Sequence, residues 1–228
     1  MDWAILSTLS ADERRAVLTS TVRRKYRKGE VIFHEDDLGE SLHLLERGRA
    51  AIRVSNSEGD QVIINVIGPG AFFGEQALVV DNNHRSATVI SLQPVETLAL
   101  HRVDFDRLRA EHPAIDSMLV TALSERVNRL NDHLLEALFT PADKRVCRRL
   151  FELTGTYIVP GVGGPISIPL TQEELASLAG TSRATANRVL QDLVQSEIIV
   201  VRRGSVDVLD DARLKGRCSQ LGSVGKVL

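Results

Sequence analysis

A short glycine-led segment and an arginine that follows it have the residue types that bind a small anion. The segment reads Gly74-Glu75-Gln76-Ala77, and the arginine stands in the pair Arg85-Ser86. Backbone amides at the start of such a helical turn can donate to phosphate oxygens. An arginine adds a fork of donors for the same oxygens, and the serine hydroxyl can add one more. These residues therefore predict an anion site.

Glu75 is an unexpected neighbour for a phosphate, because its carboxylate repels an anion. It is useful there only if it accepts a hydrogen bond from a hydroxyl, such as the 2′-OH of a ribose. A ribose hydroxyl beside a phosphate in one compact pocket is the chemistry of a cyclic nucleotide. The alternative is a structural salt bridge between Glu75 and Arg85 in a surface loop. The residues alone leave both interpretations open.

A second stretch, Leu170–Leu193, has a pattern suited to reading DNA. Thr171 and Glu174 form a capping box at a helix start, Gly180 supplies the positive φ that ends this helix, and Ser182 caps a second helix. A short helix of this kind fits the major groove, where an arginine can read a guanine edge. Two amphipathic helices around a glycine turn also occur in many all-helical proteins, which is the alternative. The residues predicted to face outward are Arg183, Ala184, Thr185, Asn187 and Arg188.

The segment after these helices favours DNA binding. Ile198–Leu209 has two short β-rich runs around Arg203-Gly204-Ser205, which predicts a hairpin. A helix-turn-helix followed by a hairpin is the winged-helix arrangement. The stretch before it, Tyr157–Pro169, is predicted to be a loose hairpin.

Residues 22–102 have the pattern of an all-β barrel or sandwich. Short apolar runs alternate with glycines at regular intervals, from Gly29 to Gly74. Short helices are predicted before this region, at 2–20 with Ser10 as a cap, and after it, at Val103–Glu111. The predicted strands include Val31–His34, Ser41–Glu46, Ala50–Val54, Val62–Ile67, Ala87–Ile90 and Thr97–His101.

Pro113–Phe139 reads as one long helix with a near-heptad apolar stripe. A helix of this length spans about 40 Å, which is more than a small β domain needs for its own packing. The pattern favours a dimer seam, and the alternative is packing within its own domain. The stripe consists of Leu119, Leu123, Val127, Leu130, Leu134 and Leu138.

A break at Phe139–Asp143 suggests a domain boundary. Thr140 is the predicted N-cap of a new helix, Pro141 its first residue, and Gly155 its end. A frayed tail is expected from about Lys215. The predicted divisions are a β domain with flanking helices (1–112), the long helix (113–139), a winged helix-turn-helix domain (140–215) and a flexible tail (216–228).

Composition limits the function further. The chain of 228 residues has a net charge of −2, but residues 1–140 carry −5 and residues 141–228 carry +3. This places positive charge where phosphate contact would need it. No apolar run is long enough for a membrane span, there is no secretory signal, and Cys147 and Cys218 form no motif. We expect a cytoplasmic protein with no catalytic residues, no metal site and no prosthetic group.

Two motifs resemble those of the CRP/FNR family of bacterial regulators. The run LTQEELASLAGTSRATANRVL resembles the family's DNA-binding motif. The run Phe73–Leu78 with Arg85–Ala87 resembles the phosphate-binding cassette of cyclic-nucleotide-binding domains, whose pattern is FGE-x-[AG]-L…R-[ST]-A. The resemblance covers nearly the whole chain. It implies an α+β fold with an N-terminal jelly-roll-like β-roll, a long dimerisation helix and a C-terminal winged helix-turn-helix.

The resemblance also implies function. It implies a homodimeric transcription regulator that binds a palindromic double-stranded operator, is switched by a cyclic nucleotide, first of all cyclic AMP, and has RNA polymerase as a further partner. The implied ligand residues are Gly74, Glu75, Gln76, Ala77, Arg85, Ser86, Leu130 and Asn131, and the implied DNA residues are Thr171, Ser182, Arg183, Ala184, Thr185, Asn187 and Arg188.

This chain departs from the family pattern at several positions. Cyclic-AMP members contact adenine with a Thr followed by Ser or Asn on the long helix, where Leu130 and Asn131 stand here. Their recognition helix carries a glutamate that accepts from cytosine, where Ala184 stands here. In the cassette, Gln76 replaces the usual Leu or Ile, and Asn83-His84 precedes Arg85 where a small residue or proline is often seen. The alternatives for the effector are cyclic GMP, another molecule or none. The alternative for the protein is a module that regulates a protein partner.

Overall fold

The computed structural model describes residues 3–55, 59, 61–79, 84–158, 161 and 163–219. The chain forms two compact units that divide between Asn131 and Asp132. We call Met1–Asn131 the N-terminal unit and Asp132–Leu228 the C-terminal unit. This division lies inside the long helix, eight residues before the break predicted at Phe139–Asp143.

The N-terminal unit is a roll of two antiparallel sheets with flanking helices. Its elements are α1 (Ala11–Thr19), β1 (Val22–Tyr26), β2 (Val31–Phe33), β3 (Ser41–Arg47), β4 (Ala50–Ser55), β5 (Gln61–Ile67), β6 (Phe72–Phe73), β7 (Thr88–Ser91), β8 (Val95–His101), α2 (Arg102–Glu111) and α3 (Ala114–Phe139). A 3₁₀ turn at Ala4–Leu6 precedes α1, and α2 and α3 follow the strands. Strand order is β1-β8-β3-β6 in one sheet and β2-β7-β4-β5 in the other.

The strands form because apolar residues alternate toward two cores. Leu42, Leu44 and Leu100 face a core that the helices cover with Phe105 and other apolar residues. Leu45, Phe73 and Val89 belong to a second core. All of these side chains are buried, which is the main stabilising contribution to such a fold. The predicted roll and its predicted strands are confirmed, as is Ser10 as the capping-box residue of α1.

Two strands escaped the sequence analysis, and both have a physical reason. Val22–Tyr26 (β1) reads VRRKY and is exposed over four of its five residues, so it has no apolar alternation. It pairs with β8 at the sheet edge, where Arg23 forms ion pairs with Glu46 and Glu96. Phe72–Phe73 (β6) has only two residues, which is too short for a pattern.

The apolar stripe of α3 divides into a buried part and an exposed part. Leu119 is 6% exposed and lies in the core of its own unit, against which Leu123 also packs. The apolar surface of Leu119 is used inside its own unit, which counts against its predicted place in the seam, whereas Leu123 is half-buried and its place in the seam stays a prediction. The later positions of the stripe are more than half exposed: Val127, Leu130, Leu134 and Leu138.

In its described residues, the C-terminal unit contains the end of α3, four further helices and a three-stranded sheet. The elements are α4 (Ala142–Tyr157), β9 (Ile166–Ile168), α5 (Gln172–Leu178), α6 (Arg183–Gln195), β10 (Ile199–Arg202), β11 (Ser205–Val208) and α7 (Asp211–Ser219). The strand order is β10-β11-β9. Helices α5 and α6 are the predicted helix-turn-helix, and β10 and β11 are the predicted hairpin.

The boundaries of α4 differ from the prediction. Its N-cap is Pro141 and not Thr140, and no side chain caps this end. Gly155 does not stop it, because the helix continues to Tyr157, a buried residue that anchors its last turn. A single glycine costs a helix only about 1 kcal/mol relative to alanine, which such packing offsets.

Two further predictions for this unit are wrong. Within Tyr157–Pro169 the described residues hold one strand, β9, and it pairs with β11 of the wing and not with a hairpin partner of its own. The frayed tail predicted from about Lys215 is not what residues 215–219 form, because they are the second half of α7. Residues 220–228 lie outside the described part of the chain.

A buried glutamate anchors the last turns of α3 within the C-terminal unit. Glu136 is 5% exposed. Its Oε1 lies 3.1 Å from Arg148 Nη1, and its Oε2 pairs with Arg149. Both of its oxygens therefore have a cationic neighbour on α4.

In the described residues, no helix is both long enough and apolar enough to cross a membrane.

Candidate functional site

The predicted anion-binding residues line one small cavity in the N-terminal unit. The cavity has a volume of about 30 Å³. Its wall includes Gly74, Glu75, Gln76, Arg85 and Ser86. The fold brings these residues together because the 3₁₀ turn Glu75–Leu78 follows β6, and Arg85 precedes β7. The side chain of Ala77 lies outside what the structure describes, as does Asn83.

Gly74 allows Arg85 to dock on this turn. Its φ is +79°, in the left-handed region that glycine adopts most easily. A Cβ at this position would lie 2.5 Å from Arg85 Nη1 and 2.9 Å from the Ser41 carbonyl oxygen. Both distances are shorter than a side chain tolerates, so this site requires a glycine.

Arg85 is held on one side and left open on the other. Nη1 donates to the carbonyl oxygens of Ser41, at 2.9 Å, and Gly74, at 3.2 Å, and Nη2 donates to Ser41 Oγ at 3.3 Å. The guanidinium lies 4.0 Å from the centroid of the Phe33 ring. Burial lowers the pKa of Arg85 from its usual value, and the group stays cationic.

The unused edge of Arg85 suits a phosphate. Nε is buried and makes no hydrogen bond. In a guanidinium, Nε–H and one hydrogen of Nη2 point the same way and form the fork that binds two oxygens of one anion. The contacts to Ser41 and Gly74 fix the guanidinium while leaving this fork available.

Glu75 is paired with a residue that the sequence analysis missed. The carboxylate is 1% exposed, and its Oε1 forms an ion pair with Arg126 of α3. The alternative of a Glu75–Arg85 salt bridge is not what the structure contains, because the described ion pairs join Glu75 to Arg126 instead. Arg126 stands four residues before Leu130, so it shares a helix face with a residue that was predicted, but no local pattern marks its contact with Glu75.

The second oxygen of Glu75 has no partner. Oε2 is buried and accepts no hydrogen bond. A buried polar atom without a partner costs about 1–3 kcal/mol. Two residues that line the cavity thus carry an unused acceptor, Glu75 Oε2, and an unused donor, Arg85 Nε. A ligand with a hydroxyl near an anionic group would satisfy both.

Leu130 and Asn131, the other predicted ligand residues, do not line this cavity. Both are exposed on α3, one turn after Arg126. His84 does line the cavity, and its Nδ1 lies 2.5 Å from the Asp36 carbonyl oxygen. Among the described residues, no group of three His, Cys, Asp or Glu side chains is arranged to hold a metal ion.

The helix-turn-helix in the C-terminal unit has the predicted caps. The Glu174 amide donates to Thr171 Oγ1 at 3.1 Å, and the Thr171 amide donates to Glu174 Oε2 at 2.8 Å. The Thr185 amide donates to Ser182 Oγ at 3.2 Å. Gly180 has a φ of +57°. These caps fix where each helix begins, and they occupy the hydroxyls of Thr171 and Ser182.

The outer face of α6 is small and basic. Arg183, Ala184, Asn187 and Arg188 are exposed, and Thr185 is half-buried. The opposite face packs inward, so the exposed side chains cannot turn into the core. The buried residues of this helix are Ala186, Val189, Leu190 and Leu193.

Arg145 of α4 is a positioning residue that the sequence analysis also missed. Its Nε donates to the Ala179 carbonyl oxygen at 2.8 Å, and its Nη2 donates to the Gly180 carbonyl oxygen at 2.7 Å. Its Nη1 donates to the Thr140 carbonyl oxygen at 2.8 Å. One side chain therefore joins the turn of the helix-turn-helix to the start of α4. No local pattern marks an arginine for such contacts.

Two family models match the chain. A cyclic nucleotide-binding domain matches residues 23–112, and a Crp-like helix-turn-helix domain matches residues 144–217. The first match covers the cassette, and the second covers α5, α6 and the wing.

Relatives match over most of the chain. The chain is 32% identical over 207 residues to a protein named cyclic AMP receptor protein from Thermus thermophilus, covering 91% of this chain and 93% of the relative. It is 29% identical to a CRP-like cAMP-activated global transcriptional regulator from Mycobacterium tuberculosis, covering 83% of this chain and 85% of the relative. Among solved structures, the chain matches the crystal structure of a Thermus thermophilus catabolite activator protein with a TM-score of 0.54 and 31% sequence identity. That match covers 96% of this chain and 99% of the other.

Proposed function

Because the chain belongs to the CRP/FNR family of transcription regulators, we propose that it is a homodimer whose binding to a palindromic operator is switched by a cyclic nucleotide, first of all cyclic AMP. The observation that carries the proposal is the pair of unused polar atoms in the cavity, Glu75 Oε2 and Arg85 Nε. A ribose hydroxyl satisfies the first atom, and the cyclic phosphate satisfies the second.

Cyclic AMP is favoured over other nucleotides by the names of two relatives, a cyclic AMP receptor protein and a cAMP-activated regulator. The base end of the site is less well supplied. Leu130 has no hydroxyl for an adenine contact, whereas the Asn131 amide can both donate and accept. We therefore expect the phosphate and ribose to contribute most of the affinity, with weaker discrimination between adenine and guanine.

A second copy of the chain is the proposed cover for the exposed stripe of α3. Val127, Leu130, Leu134 and Leu138 recur at heptad-like spacing and are more than half exposed. The same stripe on a second α3 matches it in length and spacing, as in a two-fold coiled-coil interface.

The proposed switch passes through α3. Arg126 of this helix pairs with Glu75, so a ribose hydroxyl that donates to Glu75 meets a residue of the seam helix. Ligand binding changes the dimer only if one arrangement of α3 binds the ligand more tightly than the other. The DNA-competent arrangement holds the two recognition helices about 34 Å apart, one helical turn of DNA. Phe139–Asp143 remains the proposed pivot, and RNA polymerase a proposed partner.

Arg183 and Arg188 are the proposed readers of guanine. Both are exposed on the first turns of α6, and each bidentate contact contributes about 1–3 kcal/mol of discrimination. Ala184 offers no acceptor to a cytosine amino group, so we expect a looser preference at the base pair that it faces. A strict G·C requirement there, measured by base substitution, would contradict this.

Selection of bound sequences from a random DNA pool, with and without cyclic AMP, tests the proposal. We expect enrichment of a palindrome that depends on cyclic AMP. The variant Arg183→Ala/Arg188→Ala should enrich nothing, because both base contacts are lost.

The other outcomes identify the alternatives. A palindrome enriched equally without nucleotide indicates another effector or constitutive binding. No enrichment by the intact protein, together with measurable nucleotide binding, indicates a module that controls a protein partner.

A further inference from the structure

A chain of buried polar side chains leads away from Arg85 into the roll. Ser41 and His43 lie on β3, and Thr97 lies on the neighbouring strand β8. All three are buried, and none of them lines the cavity. Ser41 Oγ lies 3.1 Å from His43 Nε2, and His43 Nδ1 lies 3.2 Å from Thr97 Oγ1. This series of side chains begins at Arg85, whose Nη2 donates to Ser41 Oγ at 3.3 Å.

The charge state of His43 limits the direction of these hydrogen bonds. Burial, together with the nearby charge of Arg85, lowers the pKa of His43 to about 3. A neutral imidazole has one donor and one acceptor. His43 therefore accepts from Ser41 and donates to Thr97, or does the reverse in the other tautomer. In both tautomers Ser41 Oγ keeps a lone pair that accepts from Arg85.

Ring packing holds His43 in this orientation. Its ring stacks on Phe73, with centroids 5.1 Å apart and planes inclined by 8°. Phe33 lies against His43 as well, at 6.0 Å, and carries the Arg85 guanidinium on its face. Rotation of the imidazole would break both of its hydrogen bonds and this stack.

We propose that Ser41 and His43 are positioning residues for Arg85, which fix the plane of its guanidinium so that the Nε edge meets the phosphate. The hydrogen bonds from Nη1 to two carbonyl oxygens would by themselves still allow the plane of the guanidinium to turn about those bonds. The bond from Nη2 to Ser41 Oγ removes that freedom. The inference rests on the proposed cyclic-nucleotide ligand, and it assigns roles to two residues that never touch that ligand.

Calorimetric titration of the full-length protein with cyclic AMP is the first test. Ser41→Ala should raise Kd about tenfold, the lower end for a hydrogen bond to a charged group. Ser91→Ala is the matched control. Ser91 is also buried, and its hydroxyl donates to the carbonyl oxygens of Arg27 and Glu30, none of which lines the cavity. This control should lower thermal stability and leave Kd within twofold of the parent value.

A double-mutant cycle separates positioning from general damage. Arg85→Lys removes the fork whose plane Ser41 fixes, so Ser41→Ala should cause no further loss in that background. His43→Phe keeps a ring of similar shape but removes its nitrogen atoms. It should raise Kd about threefold, and should not add to Ser41→Ala. Additive losses in either cycle would overturn the inference.

A ligand-free measurement decides the inference independently of the proposed function. Nitrogen-15 spectra of the guanidinium report the rotation of Arg85 about its C–N bonds. We expect slow rotation in the parent protein, faster rotation in Ser41→Ala and no change in Ser91→Ala. Unchanged rotation in Ser41→Ala overturns the positioning role. A parent protein with slow rotation that binds no cyclic nucleotide overturns the proposed function alone.

Discussion

Among the residues that the structure describes, each unit buries one glutamate, and the two differ in how completely they are paired. Glu136 in the C-terminal unit is 5% exposed, and each of its oxygens lies within ion-pair distance of an arginine, Arg148 or Arg149, although Oε1 makes no hydrogen bond. Glu75 in the N-terminal unit is 1% exposed and has one arginine neighbour, Arg126. Its second oxygen has no partner.

This difference separates a structural carboxylate from one that awaits a ligand. A buried charge is tolerated when its surroundings supply cations and donors. The fold supplies Glu136 with such cations, so we interpret Glu136 as a structural residue. Glu75 has them in part: its second oxygen has no partner, and Glu75 lines a cavity together with Arg85, whose Nε is also unused. Burial alone would not have distinguished the two residues.

The largest expected effect is on the stability of the C-terminal unit. Glu136→Gln leaves Arg148 and Arg149 without their counter-charge. We expect unfolding to become easier by about 3 kcal/mol, the lower end for a broken buried ion pair. Calorimetric unfolding measures this, and hydrogen exchange in α4 locates it. Nucleotide affinity should not change, and a tenfold loss of affinity would contradict the assignment.

The matched substitution Glu75→Gln should have the opposite profile. It removes the charge that we propose as the acceptor of the ribose hydroxyl, and such a bond contributes about 1.5–3 kcal/mol. We therefore expect Kd for cyclic AMP to rise by roughly 10- to 100-fold. Stability should fall by less than in Glu136→Gln. The two glutamates would be equivalent after all if Glu75→Gln lowered stability as much and left Kd unchanged.

A smaller effect is expected at the glycine that lets Arg85 dock. Gly74→Ala places a Cβ 2.5 Å from Arg85 Nη1 and forces alanine to a φ of +79°. The left-handed conformation alone costs about 1–2 kcal/mol. We expect lower thermal stability together with weaker nucleotide binding. Gly29→Ala is the control, because its φ is also positive and its Cβ meets no atom within 4 Å. That control should lose stability only.

The smallest effect concerns the wing, where charges are exposed and not buried. Arg203 stands exposed at the hairpin turn, whereas Arg202 pairs with Asp207 at 2.5 Å. If Arg203 contacts a phosphate, Arg203→Ala should reduce the slope of log K against log salt by about 1. Arg202→Ala, whose charge is already balanced, should change the slope less. Equal slopes in both variants and the parent would remove Arg203 from the DNA contact.

Much of this molecule could be predicted from local pattern. The caps at Thr171 and Ser182, the positive φ of Gly180 and the inward stripe of α6 were predicted, because each depends on residues within one or two helical turns. The cassette residues Gly74–Gln76 and Arg85–Ser86 were predicted to meet at one site from their residue types and from the resemblance to the cassette motif.

The contacts that were missed join residues distant in sequence. Arg126 meets Glu75 across 51 positions, and Arg145 meets Ala179 across 34. A charged side chain on a helix surface has the same local pattern whether it faces solvent or a distant carboxylate. The edge strand β1 was missed because cross-strand ion pairs replace its apolar alternation. Helix α4 passed through Gly155 because tertiary packing outweighs propensity.

Calorimetric titration of the full-length protein with cyclic AMP tests the central claim most directly, namely that Glu75 and Arg85 together hold a cyclic nucleotide. We expect saturable heat at one site per chain, which Arg85→Ala abolishes. No heat with cyclic AMP or with cyclic GMP, at concentrations up to the millimolar range, would contradict the claim.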